Sequence, residues 1–130
     1  MKISLLKIKF AILAASNAYN ISPKLIDAII KTESGYNQNA VGSSHGEIGL
    51  MQLRPDYHDC AVFDVWENIY CGVAYLAEIK KMRAKQWGDA WFVGYNHGPN
   101  CDINYPEKTK YYRAVMNNMD DEWYLEGDEH

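Results

Sequence analysis

The helix that organises this chain is written in one stretch, Ser22-Pro23-Lys24-Leu25-Ile26-Asp27-Ala28-Ile29-Ile30-Lys31-Thr32-Glu33-Ser34-Gly35. Ser22 is a favoured N-cap residue, and Pro23 suits the first helical position. Gly35 is placed to end the helix, because glycine readily adopts the left-handed conformation common at helix C-termini. The stretch therefore predicts a capped helix whose last turn contains Glu33.

Glu33 has an unusual position for a carboxylate. It lies one helical turn from Ile29 and two from Ile26, on the apolar face, and at the negative end of the helix dipole. Both burial and the dipole favour the protonated form, so the pKa of Glu33 is expected to rise. A glutamic acid that stays protonated near neutral pH can act as a general acid, which is what cleavage of a glycosidic bond needs. An exposed glutamate with no chemical role is the competing interpretation for a single helical residue.

Further motifs follow Glu33-Ser34-Gly35-Tyr36 along the chain. They are Gly49-Leu50-Met51-Gln52-Leu53-Arg54-Pro55, then Asn68-Ile69 with Gly72 and Tyr75-Leu76, then Tyr95-Asn96-His97-Gly98-Pro99, and then a late tyrosine. In this order and spacing, over about residues 10 to 119, the motifs resemble the soluble lytic transglycosylase domain. The resemblance implies a mainly α, single-domain, lysozyme-like fold of about six helices, with a cleft built from helix ends and loops. It also implies cleavage of the MurNAc-β-1,4-GlcNAc bond of peptidoglycan without water, which leaves 1,6-anhydroMurNAc ends.

The resemblance assigns roles to individual residues. Glu33 is expected to protonate the leaving oxygen and then, as a carboxylate, to take the proton of the C6 hydroxyl as that oxygen closes on C1. The N-acetyl group of the substrate is expected to assist at C1, so no protein nucleophile is required. The expected substrate-binding residues are Ser34, Met51, Gln52, Tyr95, Asn96 and Tyr111.

Three of these residues have a second interpretation or a close neighbour. Gln52 is expected to bind sugar substituents, but a buried amide that satisfies loop backbone would have the same sequence. Met51 is expected to pack beneath the cleft, and filling the core explains it equally well. Tyr111, which is expected to orient Glu33, is preferred to the adjoining Tyr112 because helical phase puts it on the same face as Val115.

One position departs from the family pattern. Glu47 stands in His45-Gly46-Glu47-Ile48-Gly49, where the family usually has a small residue, and adds a second carboxylate to a candidate cleft loop. Further candidate carboxylates downstream are Asp56, Asp59 and Asp64. If one of these positions a water molecule, the enzyme would be an inverting hydrolase resembling goose-type lysozyme. A module that binds glycan strands without cutting them is a third hypothesis, which the presence of Glu33 disfavours.

Periodicity is helical in the rest of the chain, and strand signals are scarce. A short apolar helix is predicted over Asp89 to Tyr95, and a final helix over Thr109 to Met119. A loop is predicted over Asn37 to Glu47. A core face is predicted by an apolar stripe at helical spacing, which consists of Ile69, Val73, Leu76 and Ile79.

The composition suits one catalytic domain over residues 1–119, followed by an acidic tail over residues 120–130. The chain has 130 residues, 48% of them hydrophobic, which is enough for one core. The formal charge is −4, but the tail holds six acidic residues and no Lys or Arg, so residues 1–119 carry +2. A mildly basic body suits an anionic cell-wall polymer, and the lack of a strong basic stripe makes nucleic acid an unexpected partner. A monomer is the default expectation.

The N-terminal region faintly resembles a signal peptide. Lys7 and Lys9 interrupt its apolar run, and the first helix of the domain is expected at this point, so a cleaved signal is not favoured. No stretch approaches the length that spans a bilayer. The expected place of action is the periplasm or the cell wall, and a phage virion or a secretion machine would supply the route.

The chain contains Cys60, Cys71 and Cys101, which allow either one disulfide or free thiols. The spacings of the cysteines from His58 and His97 match no common structural zinc site. No metal or cofactor is therefore expected.

Overall fold

The computed structural model describes residues 3–120, which are mainly helical. The helices longer than one turn are α1 (Ile3–Tyr19), α2 (Pro23–Ser34), α3 (Val65–Trp87) and α5 (Lys110–Asn117). The one-turn helix α4 spans Gly94–His97, and 3-10 segments span Gly88–Val93 and Pro106–Lys108. The predicted fold class, a mainly α fold like that of lysozyme, is confirmed. The predicted number of about six helices is wrong, since the described residues form four helices longer than one turn.

Helix α2 forms as its sequence predicts. The Ser22 hydroxyl accepts a hydrogen bond from the Leu25 amide at 3.5 Å, and Pro23 occupies the first turn. Gly35 ends the helix in the left-handed conformation, with φ +58, and its amide donates to the Lys31 carbonyl. The apolar face of α2 is buried, so the helix presents its last turn, with Glu33, at a defined place on the core.

Helix α3 is the central support of the domain. The Asp64 side chain caps its first turn by accepting from the Glu67 amide at 3.0 Å. The predicted core stripe is confirmed, because all four of its side chains are fully buried: Ile69, Val73, Leu76 and Ile79. Helix α1 and the segment Gly88–Val93 pack against α3, which places the core between them.

A loop rather than a helix connects α2 to α3, and buried Asn68 of α3 organises it. The Asn68 Nδ2 donates to the carbonyls of Ile48 and Val62, both at 2.9 Å, while its Oδ1 accepts from the Met51 amide at 2.8 Å. Gly49 is required beneath this amide, because a Cβ there would lie 2.5 Å from Asn68 Nδ2. The motif around Met51 is therefore held in place by one side chain of α3.

The predicted loop over Asn37 to Glu47 is confirmed, and it is stiffened by isolated antiparallel bridges. Val41 pairs with Ile48, and Ile48 pairs in turn with Leu53. The bridges fold the loop back on itself, while side chains such as those of Val41 and His45 remain exposed.

The C-terminal part departs from the predicted elements. The helix expected over Asp89 to Tyr95 is instead the 3-10 segment Gly88–Val93 followed by α4. Four of the six residues of Gly88–Val93 are buried, and packing against α3 overrides the local helical pattern. The final helix is α5, shorter than expected, and Thr109 is its N-cap through a hydrogen bond accepted from the Tyr112 amide.

Cys60 and Cys71 form a disulfide with a Cα–Cα distance of 6.1 Å, and Cys101 is a free thiol. The disulfide joins the loop before α3 to the helix itself.

Within residues 3–120, no helix has both the length and the apolar character needed to cross a membrane. The predicted acidic tail over residues 120–130 lies, except for Asp120, outside the described residues.

Candidate active site

The candidate acid, Glu33, lies in the last turn of α2 and is partly buried. The Tyr111 hydroxyl, from α5, donates a hydrogen bond to Glu33 Oε2 at 2.8 Å. Tyr111 is only 8% exposed, whereas Tyr112 turns away and stacks on Phe92. Helical phase therefore identified the tyrosine that contacts Glu33, and α2 and α5 together position the carboxyl group.

The environment raises the pKa of Glu33 from 4.5 to about 7. Burial is the largest cause, because it disfavours the charged form. The Tyr111 hydrogen bond acts in the opposite direction, and the negative charge of Glu47 raises the pKa further. Near neutral pH both forms of Glu33 are populated, so the same carboxyl group can give a proton and take one back.

Two tyrosines, the buried Tyr111 and the partly buried Tyr95, interact electrostatically with this acid. The Tyr95 hydroxyl donates to the Met51 carbonyl at 2.6 Å and so ties α4 to the loop. Burial, and then the charge of Glu33, raise the pKa values of Tyr95 and Tyr111 well above their ordinary value. Both phenols therefore remain neutral hydrogen-bond donors over the whole range in which Glu33 titrates.

Glu47 is held in the loop as an ionised carboxylate. Its Oε1 accepts from the His45 amide at 3.0 Å, and its Oε2 lies 3.7 Å from His45 Nδ1. A hydrogen bond at its own backbone amide, followed by those from His45, lowers the pKa of Glu47 against the opposing effect of burial. The carboxylate rests on Gly42, where a Cβ would lie 2.3 Å from Oε1.

The other candidate carboxylates are engaged elsewhere. Asp56 is bound by Arg54 at 2.7 and 3.1 Å, and Asp64 caps α3. Asp59 is exposed. Of the four carboxylates that the sequence offered as partners for Glu33, Glu47 is the one whose charge raises the pKa of Glu33.

The side-chain amide nitrogen of Gln52 binds the backbone of its own loop. Its Nε2 donates to the carbonyls of Ala40, Glu47 and Gly49 at 3.2, 3.4 and 3.0 Å, and its backbone has φ +51. The interpretation of Gln52 as an amide that satisfies loop backbone therefore explains the nitrogen. Its Oε1 lies beside Gly42, where a Cβ would be 2.9 Å from it.

The remaining predicted site residues differ in how far their side chains are buried. Met51 is fully buried and packs its sulfur onto Gly72, where a Cβ would lie 2.4 Å away. Its side chain offers no surface to a substrate and supports the site from beneath. The Ser34 hydroxyl donates to the Ile30 carbonyl of its own helix at 3.1 Å, while Asn96 is exposed at the end of α4.

Two connected grooves lead away from the Tyr95 side of the site. The proximal groove has a volume of about 220 Å³ and is bordered by Gln52, Arg54, Tyr95 and Asn96. The distal groove has a volume of about 710 Å³ and is bordered by Cys60, Cys71, Glu78, Asn100 and Cys101. They share a boundary of five residues: Tyr57, His58, Tyr75, His97 and Gly98.

Sequence reasoning missed two contributors to this geometry. Asn68 was recognised only as part of a motif, and its burial with three hydrogen bonds has no signal in the sequence beyond its position on the apolar side of α3. Gly42 carries no sequence signal at all, because its importance lies in the contact with Glu47. Among residues 3–120, no three His, Cys, Asp or Glu side chains come together as metal ligands.

Comparison with known proteins identifies the family of this chain. The family model described as the transglycosylase SLT domain matches residues 10–115, which include Glu33, the loop motif, Tyr95 and Tyr111. The chain belongs to the transglycosylase SLT domain family. The SLT domain thus extends from within α1 to within α5 and contains both helices that hold the candidate acid.

Individual relatives are similar over most of this SLT domain. A protein named transglycosylase from Enterobacteria phage PRD1 is 35% identical over 113 residues, which cover 82% of this chain and 40% of the phage protein. A protein from Citrobacter koseri named endo-type membrane-bound lytic murein transglycosylase A is 35% identical over 103 residues, covering 78% of this chain. A protein of the same name from Klebsiella pneumoniae has the same identity and coverage. The chain spans half or less of the length of these relatives.

Proposed function

We propose that this SLT domain is a peptidoglycan lytic transglycosylase, which cleaves the MurNAc-β-1,4-GlcNAc bond and leaves 1,6-anhydroMurNAc ends. The observation that carries the proposal is the state of Glu33, a partly buried acid with a pKa of about 7, whose charge raises the pKa of Tyr95 at the border of the proximal groove. Family membership and the names of the relatives support the same activity.

Glu33 acts twice in the proposed reaction. Protonated Glu33 gives its proton to the glycosidic oxygen as the bond to C1 breaks, and the GlcNAc-containing fragment leaves as an alcohol. The N-acetyl oxygen of MurNAc occupies C1 in the meantime, which replaces a protein nucleophile. The C6 oxygen then attacks C1 and displaces the N-acetyl oxygen, and the Glu33 carboxylate takes the C6 hydroxyl proton. The proton balance returns Glu33 to its starting state without consuming water.

The surrounding residues orient Glu33, hold the loop in place and bind the sugar substituents. Tyr111 orients Glu33 and stabilises its carboxylate through the hydrogen bond at 2.8 Å. Tyr95 keeps the loop closed against α4 through the Met51 carbonyl. Polar atoms for the sugar substituents are supplied by Gln52 Oε1, Asn96 and Ser34, whose positions leave acceptors or donors available.

Mass spectrometry of the soluble fragments released from purified peptidoglycan tests the proposal. Products lighter than hydrolytic muropeptides by one water molecule, and lost with Glu33→Gln, are expected. Glu67→Gln is the matched control, because it makes the same chemical change at an exposed carboxylate on α3 and should leave the products unchanged. Fragments with ordinary reducing ends would contradict a non-hydrolytic reaction.

A hydrolytic reaction is the second candidate, and Glu47 favours it. Its carboxylate is ionised, and its charge raises the pKa of Glu33, so the two groups have the opposite protonation states that an acid and a base require. In this alternative Glu47 accepts a proton from water, whose oxygen bonds to C1 as the glycosidic bond breaks and Glu33 protonates the leaving oxygen. Reducing-end products that disappear with Glu47→Gln would select this mechanism.

A wild-type protein that binds glycan strands but never releases fragments would identify the third hypothesis, a non-catalytic binding module.

For the catalytic proposals, the domain over residues 1–119 acts as a monomer at the cell wall or in the periplasm. The phage relative makes delivery by a virion the first route to examine, with a secretion machine as the other.

A further inference from the structure

The distal groove has no role in the reaction proposed above. Its volume of about 710 Å³ is in the range of sites that bind small ligands. It continues from the proximal groove across Tyr75, whose ring lies 5.5 Å from that of Tyr95 and 4.7 Å from that of His58. A ligand attached to a substrate at Glu33 could therefore pass along this aromatic boundary into the distal groove.

Both walls of the distal groove are anchored to α3. One wall is the loop that the Cys60–Cys71 disulfide joins to the helix. The other is the segment after α4, where Arg83 Nε donates to the Pro99 carbonyl at 2.6 Å and Arg83 Nη2 to the Cys101 carbonyl at 2.8 Å. Because a disulfide and hydrogen bonds within the chain fix both walls, the groove is preformed, which lowers the entropic cost of binding.

The charge of the groove indicates what it binds. Among the described residues that border it, Glu78 has the one carboxylate, and none is Lys or Arg. Burial lowers the pKa of His58, so its imidazole is neutral at neutral pH. The guanidinium of Arg83 keeps its positive charge but donates its hydrogen bonds to backbone carbonyls and to Gln86. Arg83 does not border the groove, so Glu78 is the one Asp, Glu, Lys or Arg side chain among the described residues that do. The groove therefore favours a group with positive charge, although residues 1–119 as a whole are mildly basic.

We propose that the distal groove binds the peptide branch of peptidoglycan, with Glu78 paired to a free side-chain amine of that peptide. This inference rests on the proposed function. The glycan strand itself offers no cation, whereas a diamino acid in the peptide carries an ammonium group. The peptide branches from MurNAc, one of the two sugars at the bond that Glu33 is proposed to cleave, so it starts close to the proximal groove.

The test compares three enzymes on three substrates. The enzymes are the wild type, Glu78→Gln and the matched control Glu67→Gln, which also removes one exposed carboxylate from α3 but lies outside the groove. The substrates are peptidoglycan with free peptide amines, the same material after acetylation of those amines, and glycan strands after enzymatic removal of the peptides. The measurement is kcat/KM for release of soluble fragments.

Glu78→Gln is expected to lower kcat/KM about threefold to tenfold on the substrate with free amines. Acetylation of the amines should lower the wild-type value by the same factor and leave Glu78→Gln unchanged. On glycan strands without peptides all three enzymes should be equal. A loss of equal size on all three substrates, or no loss on the first, would overturn the inference while the proposed function stood. A wild type inactive on every substrate would overturn both.

Discussion

The end of α2 and the loop before α3 each bring a carboxylate to the same site, and the two carboxylates have opposite properties. Glu33 is enclosed by α2 and α5, receives one hydrogen bond from a tyrosine, and has a pKa of about 7. Glu47 is bound by backbone and imidazole groups of a tight loop, and its pKa is lowered. The difference shows that burial with few hydrogen bonds raises the pKa of a carboxyl group and keeps it protonated. Hydrogen-bond donors from the backbone lower the pKa and keep a carboxylate ionised.

Replacing Glu33 by Gln tests the acid side of this comparison and has the largest expected effect. The amide cannot transfer a proton, so turnover should fall at least about a thousandfold, while glycan binding is retained. Fragment release and binding to insoluble peptidoglycan are measured side by side. Loss of binding together with turnover would mean that Glu33 mainly holds the substrate.

A substitution at Gly42 tests the loop that holds Glu47, which is the other region of this comparison. Gly42→Ala places a Cβ about where Glu47 Oε1 now lies, so the carboxylate and the Gln52 amide must shift. The expected cost is about 1–3 kcal/mol in the free energy of unfolding, measured with denaturant. The same change in a Glu47→Ala background should cost clearly less, because the clashing group is gone. An equal cost in both backgrounds would show that the contact with Glu47 is not the cause.

Glu47→Gln tests the electrostatic effect of the loop carboxylate on Glu33. Removing a nearby negative charge lowers the pKa of Glu33, so the alkaline limb of the rate profile should move to lower pH than about 7. Activity above neutrality should decrease severalfold, whereas activity at acidic pH should persist. Loss of turnover at every pH would instead favour the hydrolytic mechanism.

Tyr111→Phe should move the same limb in the opposite direction. The lost hydrogen bond stabilises the Glu33 carboxylate, so the pKa of Glu33 rises when it is removed. The expected loss of folding stability is about 0.5–1.5 kcal/mol. Tyr112→Phe is the matched control one residue along α5 and should leave the profile in place. A shift produced by both variants would point to a general change in α5.

The raised pKa of Glu33 should also make folding stability depend on pH. Because the pKa of Glu33 is raised in the folded state, its contribution to stability is fully present below about 4.5 and is lost as the pH rises through about 7. Glu33→Gln should therefore flatten the decline in melting temperature between about pH 5 and about pH 8. A decline that is the same in the variant would assign it to other groups.

The sequence predicted the parts of this site that depend on local signals. Caps at both ends of α2 placed Glu33 in its last turn, and helical phase chose Tyr111 over Tyr112. Both rest on spacings within one helix, which the backbone geometry determines. The family resemblance brought in the loop motif, although it did not show that Gln52 Nε2 binds loop carbonyls.

The rest depended on tertiary contacts between distant residues. The 3-10 geometry of Gly88–Val93, the hub at Asn68 and the contact of Glu47 with Gly42 arise only after the loop folds against α3. The pairing of Cys60 with Cys71 likewise required their distance in space, since three cysteines allow several pairings. No local pattern in the sequence reports such contacts.

The most direct test of the central claim is an NMR titration of the Glu33 side-chain carbonyl carbon in the wild type and in Glu47→Gln. A midpoint of about 7 in the wild type and a lower midpoint in Glu47→Gln are predicted. A midpoint near the ordinary value of 4.5 would contradict the account, because Glu33 would then be ionised at neutral pH and could not begin the reaction as an acid.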